Sequence, residues 1–331
     1  MTELNSSERL IINQLLNHGV FTSSITPQST QNNIRAISAL KRPLVQQRIN
    51  RYLKELIGVV PENYQENLLL LVGGEVLPSE TVHVLLATLK TVINLPELKD
   101  IDHDRVVSCQ TIIRQVHSEV TELSEPEISR QITEIFVNRF ELFKPDFPES
   151  NSEDAVEELD EYWDVSPDFN YITECLVDYL LRPNEELNLN DIQRVNRELL
   201  TNQYLDAKRS PELWQILISN KVLISNQWSK LNRFDLECGE DYALLLDRER
   251  RTSSSKPFIT AILVAQSLTG GIPANELSSQ INKIAKKNFP HHKISNSEVK
   301  HLLFDKSLVI QKNNFITSSP LIDRFKVQVS A

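Results

Sequence analysis

The chain has 331 residues, 40% of them apolar and 24% charged, with a formal net charge of −10. Such a balance excludes fibrous and disordered classes and leaves room for two or three domains, each with its own core. Seven glycines are few for this length, which disfavours phosphate loops and strained turns and favours helices.

Ser6, Ser7 and Glu8 open an amphipathic helix with Leu10, Ile11, Leu15 and Leu16 on one face, stopped at Gly19. A second helical pattern runs from Ile34 to Ile57, with Pro43 as a point of interruption. Leu68–Val72 is an apolar run closed by Gly73 and Gly74, and its length fits either a short buried strand or a helix end. Ser79 and Glu80 start a helix carrying Val82, Leu85, Leu86, Leu89 and Ile93 in register, and another is predicted from Asp104 to about Val120. Ser124 with Glu127 reads as a capping box for a helix reaching about Phe143. Residues 1–145 therefore read as a helical domain.

Residues 146–168 hold ten Asp/Glu and no Lys or Arg, so self-repulsion marks them as an acidic linker. Tyr162 and Trp163 inside that run read as an exposed aromatic pair that anchors a partner. The next block, 169–255, has helices through Leu181 and from Asn190 to Leu200, then one started by Ser210, Pro211 and Glu212. Phe234–Cys238 and Tyr242–Leu246 read as two strands of a hairpin around Gly239. No tandem repeat of fixed period is evident.

From Lys256 to Ala331 the balance reverses: ten Lys/Arg against four Asp/Glu give +6, so residues 1–255 carry −16. Here Phe258–Leu268, Ala274–Lys287 and a helix capped by Ser295 and Glu298 precede a β-hairpin around Asn313 and Asn314. That order is expected of a basic winged helix over 256–331. Lys283, Lys286, Lys287, Lys293, Asn296, Ser297, Lys300, His301, Lys306 and Lys312 are its candidate DNA-binding residues. Lysines favour phosphate contact, and no exposed arginine serves the third helix for bidentate guanine reading. A module used for protein contacts alone also fits.

Asp100, Asp102, His103 and Asp104 form a dense ligand-like cluster, but consecutive residues rarely aim at one metal, and capping of the next helix accounts for them. No GxxxxGK(S/T), GxGxxG or GxSxG motif is present. A non-enzymatic chain with no metal or cofactor is therefore expected. Cys109, Cys175 and Cys238 stand far apart and read as reduced thiols. With no signal-like start and no membrane-length apolar run, a cytoplasmic protein is expected, nucleoid-associated when bound to DNA.

RELL at Arg197–Leu200, SPELW at Ser210–Trp214, FDLEC at Phe234–Cys238 and YALLL at Tyr242–Leu246 resemble the first winged helix of MukE-like accessory subunits. KPFITAILV at Lys256–Val264, the wing and Pro320–Phe325 resemble their second. The resemblance runs from Asp191 onward. It implies a mainly α fold with small β-wings, tandem winged-helix domains behind the N-terminal helical domain, and no catalytic residues. It also implies an SMC-type ATPase as partner, with a kleisin or effector nuclease subunit, and double-stranded DNA bound through the complex. The implied setting is plasmid or phage defence of the Wadjet or Lamassu type. A winged-helix DNA-binding regulator or plasmid replication initiator is the alternative.

Overall fold

The computed structural model describes residues 3–27, 29–72, 79–98, 105–146, 161–181, 188–249 and 255–325. The chain is mainly helical with small sheets and divides into two compact units, Met1–Asn190 and Asp191–Ala331. Among the described residues, no helix is long and apolar enough to cross a membrane.

In the first unit, α1 (Ser6–His18) begins at Asn5, whose side chain accepts the Glu8 N–H while Glu8 accepts the Asn5 N–H, both at 2.9 Å. This reciprocal cap satisfies two orphan donors. The helix ends at Gly19 with φ 75, where a side chain would be strained and a Cβ would lie 3.2 Å from the Leu70 carbonyl oxygen. The close approach lets Leu70 N–H donate to Gly19 O at 2.7 Å, so β1 (Val20–Phe21) enters the sheet directly. Then come α2 (Gln31–Leu40), α3 (Pro43–Ile57), β2 (Glu62–Tyr64) and β3 (Asn67–Leu69), in the antiparallel order β1-β3-β2. Pro43 sits at the first turn of α3, where its missing N–H costs nothing. The Leu68–Val72 run thus contributes to a strand, not a helix end.

The order recurs. It runs through α4 (Ser79–Asn94), β4 (Val106–Ser108), α5 (Cys109–Glu119), α6 (Glu125–Ile132) with a π-helical continuation over Thr133–Arg139, β5 (Phe143–Asp146) and β6 (Tyr162–Val165). Ser124 and Glu127 form the expected capping box. Asp100–Asp104 lies outside the described residues. The helix expected from Asp104 begins only at Cys109, because β-branched Val106 and Val107 pair with Asp164 and Trp163 in the sheet. The helix from Ser124 ends before Phe143, which starts β5.

Part of the acidic stretch is not a linker. Residues 147–160 lie outside the described residues, but Asp146 closes β5 and Tyr162–Val165 forms the central strand of the order β4-β6-β5. Along β6 the side chains alternate: Trp163 and Val165 face the core, Tyr162 and Asp164 less so. Phe143 stacks on Phe136 at 4.9 Å, on Trp163 at 5.2 Å and on Phe169 at 5.7 Å. Phe169 opens α7 (Phe169–Leu181), whose Ile172, Cys175 and Leu176 join the same core. The boundary between units therefore falls at Asn190, after α7, and not at 145 or 169.

The second unit holds two further passes. The first comprises α8 (Asp191–Asn202), β7 (Tyr204–Asp206), α9 (Pro211–Ser229), β8 (Phe234–Cys238) and β9 (Tyr242–Asp247), ordered β7-β9-β8. A kink at Asn220 (φ −120, ψ 16) splits α9 into two helical halves. Ser210 precedes α9 without a side-chain cap bond, its ψ of 68 lying outside the extended backbone usual at an N-cap. The second comprises α10 (Lys256–Ser267), β10 (Ile272–Pro273), α11 (Leu277–Asn288), α12 (Asn296–Asp305), β11 (Val309–Lys312) and β12 (Phe315–Ser318), ordered β10-β12-β11. Tyr204, Leu244 and Leu321 join the two passes of this unit in one apolar cluster, beside an Arg324–Glu237 ion pair.

Helix, strand, helix, helix, strand, strand therefore recurs among the described residues, three times outright and a fourth time with the two halves of the kinked α9 as the middle helices, each time with the third strand in the middle of an antiparallel sheet. The four passes start at Ser6, Ser79, Asp191 and Lys256, at unequal spacing.

Candidate nucleic-acid interface

The fourth pass carries the residues that sequence nominates. Leu277, Ile281, Ile284 and Ala285 of α11 and Val299 and Leu303 of α12 pack into the core. Helical spacing then turns Lys283, Lys286 and Lys287 to solvent. Ser295 caps α12 by accepting the Glu298 N–H at 3.4 Å. Asn296 Nδ2 donates to Asn282 Oδ1 at 3.2 Å and to Ser278 O at 3.4 Å, tying the start of α12 to the middle of α11.

Asn296 thus ties two helices together through its half-buried side chain. Ser297 is exposed, with its hydroxyl 3.0 Å from that of Ser295. Lys300 is half-buried and His301 exposed on α12. Lys293 is exposed in the loop before α12, near His292, whose Nε2 lies 3.0 Å from Lys256 Nζ. Lys306 is exposed at the end of α12, and Lys312 is exposed where β11 meets the turn. Asn313 takes φ 53 there, the left-handed geometry that asparagine tolerates. Gly271 (φ 72) leaves room for Phe315, whose ring a Cβ would meet at 2.4 Å. The lysines thus lie on α11, α12, their connection and the hairpin of a single module.

The aromatic pair does not form an exposed anchor. Trp163 is only 5% exposed and stacked on Phe143, while Tyr162 is half-buried. An exposed apolar stripe lies elsewhere, on the kinked α9, where Ile218, Val222 and Leu223 face solvent and Val222 is 73% exposed.

A second basic surface escaped sequence reasoning. Between Gln31 and Ile57, six Lys/Arg stand against one Asp/Glu. The whole-body sum of −16 hides them, although a sliding charge count would reveal them.

A cleft of the first unit is lined by Asn33, Ile37, Phe140, Lys144, Asp164, Ser166 and Asp168 among others. Its buried Asp168 accepts the Ser24 N–H at 2.8 Å, pinning the segment before α2. Cys109 and Cys175 are buried, and neither is in a disulfide. Burial, with Glu161 adding to it, pushes the Cys109 thiol up to about 12 and so keeps it a neutral, inert group. No group of three His, Cys, Asp or Glu among the described residues is placed to hold a metal ion. No protein family, curated protein or solved structure matches the chain.

Proposed function

We propose that the chain is a non-catalytic accessory subunit of an SMC-type ATPase complex, built of tandem winged helices and contacting the backbone of duplex DNA. The observation that carries the reading is the recurring order with its central third strand. A helix pair followed by a hairpin presents its last helix to the major groove and its hairpin to flanking phosphates. In the fourth pass that helix and hairpin carry Lys300, His301 and Lys312, flanked by Lys293 and Lys306. The exposed apolar stripe on α9 supports a protein partner, since an apolar surface facing water is costly without one. The ATPase itself is the partner that the MukE-like resemblance implies, with a kleisin or nuclease subunit beside it and defence against plasmids or phage as the setting.

Replacing Lys293, Lys300, Lys306 and Lys312 together with glutamate will weaken binding to unrelated duplexes alike. Each phosphate that is no longer neutralised flattens the log–log salt slope by about 0.9. Fluorescence anisotropy over a salt series reads both effects, and unchanged affinity would assign this module to protein contacts. Co-expression with an SMC-type ATPase of the same host tests the partner. Stable co-purification supports the complex, whereas sequence-specific protection of DNA by a chain that captures no ATPase would favour the regulator or initiator reading.

A further inference from the structure

The face of α2 and α3 in the first unit combines three independent features. The first is geometry: the two helices are joined by Lys41 and Arg42 alone, so α3 follows α2 through a tight turn. Val45, Ile49, Tyr52, Leu53, Leu56 and Ile57 bury one side of α3. Leu44, Gln47, Arg51 and Lys54 recur on the opposite side at spacings of three and four, and all are exposed. Fifteen residues make a rod of about 22 Å, and the major groove of B-form DNA, about 12 Å wide, admits one helix.

The second feature is charge. Arg48 is committed inward, paired with the buried carboxylate of Glu8, which pins α1 to α3. Arg35, Lys41, Arg42 and Arg51 are exposed, and among the described residues none of these four is held in an ion pair. Four unneutralised cations on one short helix pair repel one another, and a polyanion relieves that repulsion.

The third feature is the donor set at the exposed stripe. An arginine can donate twice to guanine O6 and N7, and a glutamine can pair with adenine N6 and N7. Leu44, 73% exposed in the first turn of α3, supplies an apolar contact of the kind a thymine methyl accepts. The fourth pass offers lysines for phosphates, whereas this one offers Arg51 and Gln47 for base edges.

We propose that the exposed face of α2–α3 is a second duplex-DNA contact, with α3 in the major groove. Arg51 and Gln47 face base edges there, and Arg35, Lys41 and Arg42 hold phosphates. The proposal rests on the winged-helix reading of the first pass. It commits to B-form DNA, because the deep, narrow major groove of A-form RNA excludes a helix.

The test uses the full chain, fluorescein-labelled duplexes of two unrelated sequences and the corresponding duplex RNA, at 0.1 M salt. Changing Arg35, Lys41, Arg42 and Arg51 together to glutamate is expected to weaken DNA binding about a hundredfold. At that salt each neutralised phosphate carries about 0.9 of a decade, and the variant is expected to leave at least two phosphates without their cation. Q47A is expected to narrow the difference in affinity between the two sequences. Unchanged affinity and salt slope in a variant that melts like the parent would overturn the proposal. So would equal or tighter binding of RNA, or a defect confined to capture of a protein partner. Should the fourfold variant not fold, R51Q decides: about tenfold weaker binding sustains the proposal, and none overturns it. The four-lysine variant of the fourth pass, run in parallel, separates the two sites. Weakening in that variant alone would leave the proposed function standing without this inference, and weakening in the α2–α3 variant alone would do the reverse.

Discussion

Trp163→Ala will destabilise the first unit by about 3–5 kcal/mol, the cost of deleting a large buried aromatic whose site cannot fully collapse. The indole lies on the central strand β6, packs at 5.2 Å on Phe143, and through it meets Phe136 and Phe169. Its removal empties the junction where the second sheet, the π-helical turn and α7 share one core. Urea unfolding followed by far-ultraviolet circular dichroism measures the effect. An exposed partner anchor would leave stability within a few tenths of a kcal/mol, as surface substitutions do, so the same measurement separates the two roles of this residue.

The second large effect is expected at Arg233. Its Nε donates to Asp247 Oδ1 at 2.8 Å and its Nη2 to Asp247 Oδ2 at 2.5 Å, and the two side chains are 8% and 11% exposed. The guanidinium also sits 4.8 Å over the Phe234 ring. This pair locks the outer ends of β8 and β9, where Phe234 pairs with Asp247. Arg233→Ala leaves the aspartate nearly buried without this partner and will cost about 3–5 kcal/mol. Replacing both residues with methionine and leucine will recover most of that stability, because the desolvation of two charges disappears with their attraction. A thermal melt of the three proteins checks the order: parent, then the double variant, then the single variant. A single variant as stable as the parent would show that the pair contributes nothing.

Sequence carried the strongly periodic elements. The amphipathic pattern around Leu15, the capping box of Ser124 and Glu127, and the hairpin across Gly239 all appear where they were expected. The first strands of the four sheets did not register. Val20–Phe21 and Ile272–Pro273 are two residues long and Val106–Ser108 and Tyr204–Asp206 three, too short for any period. Without them the first half reads as helices alone and the fourfold order stays hidden. Composition misled at Tyr162–Val165, where flanking acids outweigh the alternation that sends Trp163 and Val165 inward. Summation misled at α2–α3, because six basic residues vanish inside a body of −16. At the candidate interface the solvent-facing lysines followed from helical spacing. The commitment of Asn296 to Asn282 and Ser278 did not, since a hydrogen bond between helices leaves no trace in either helix's own pattern.

DNA contact is expected from α3 of the first pass and α12 of the fourth, and not from α6 and its π-helical continuation in the second, where Glu125, Glu127 and Glu134 outnumber Arg130 and Arg139. A photo-crosslinking amino acid placed singly at Gln47 on α3, Ser297 on α12 and Glu134 on the π-helical turn, all exposed, addresses it directly. The full chain is irradiated with a labelled duplex at low and high salt. The expected result is covalent DNA adducts from positions 47 and 297 that fade as salt rises, with none above background from position 134. Adducts from position 134 alone, or from none of the three at any salt, would contradict the account.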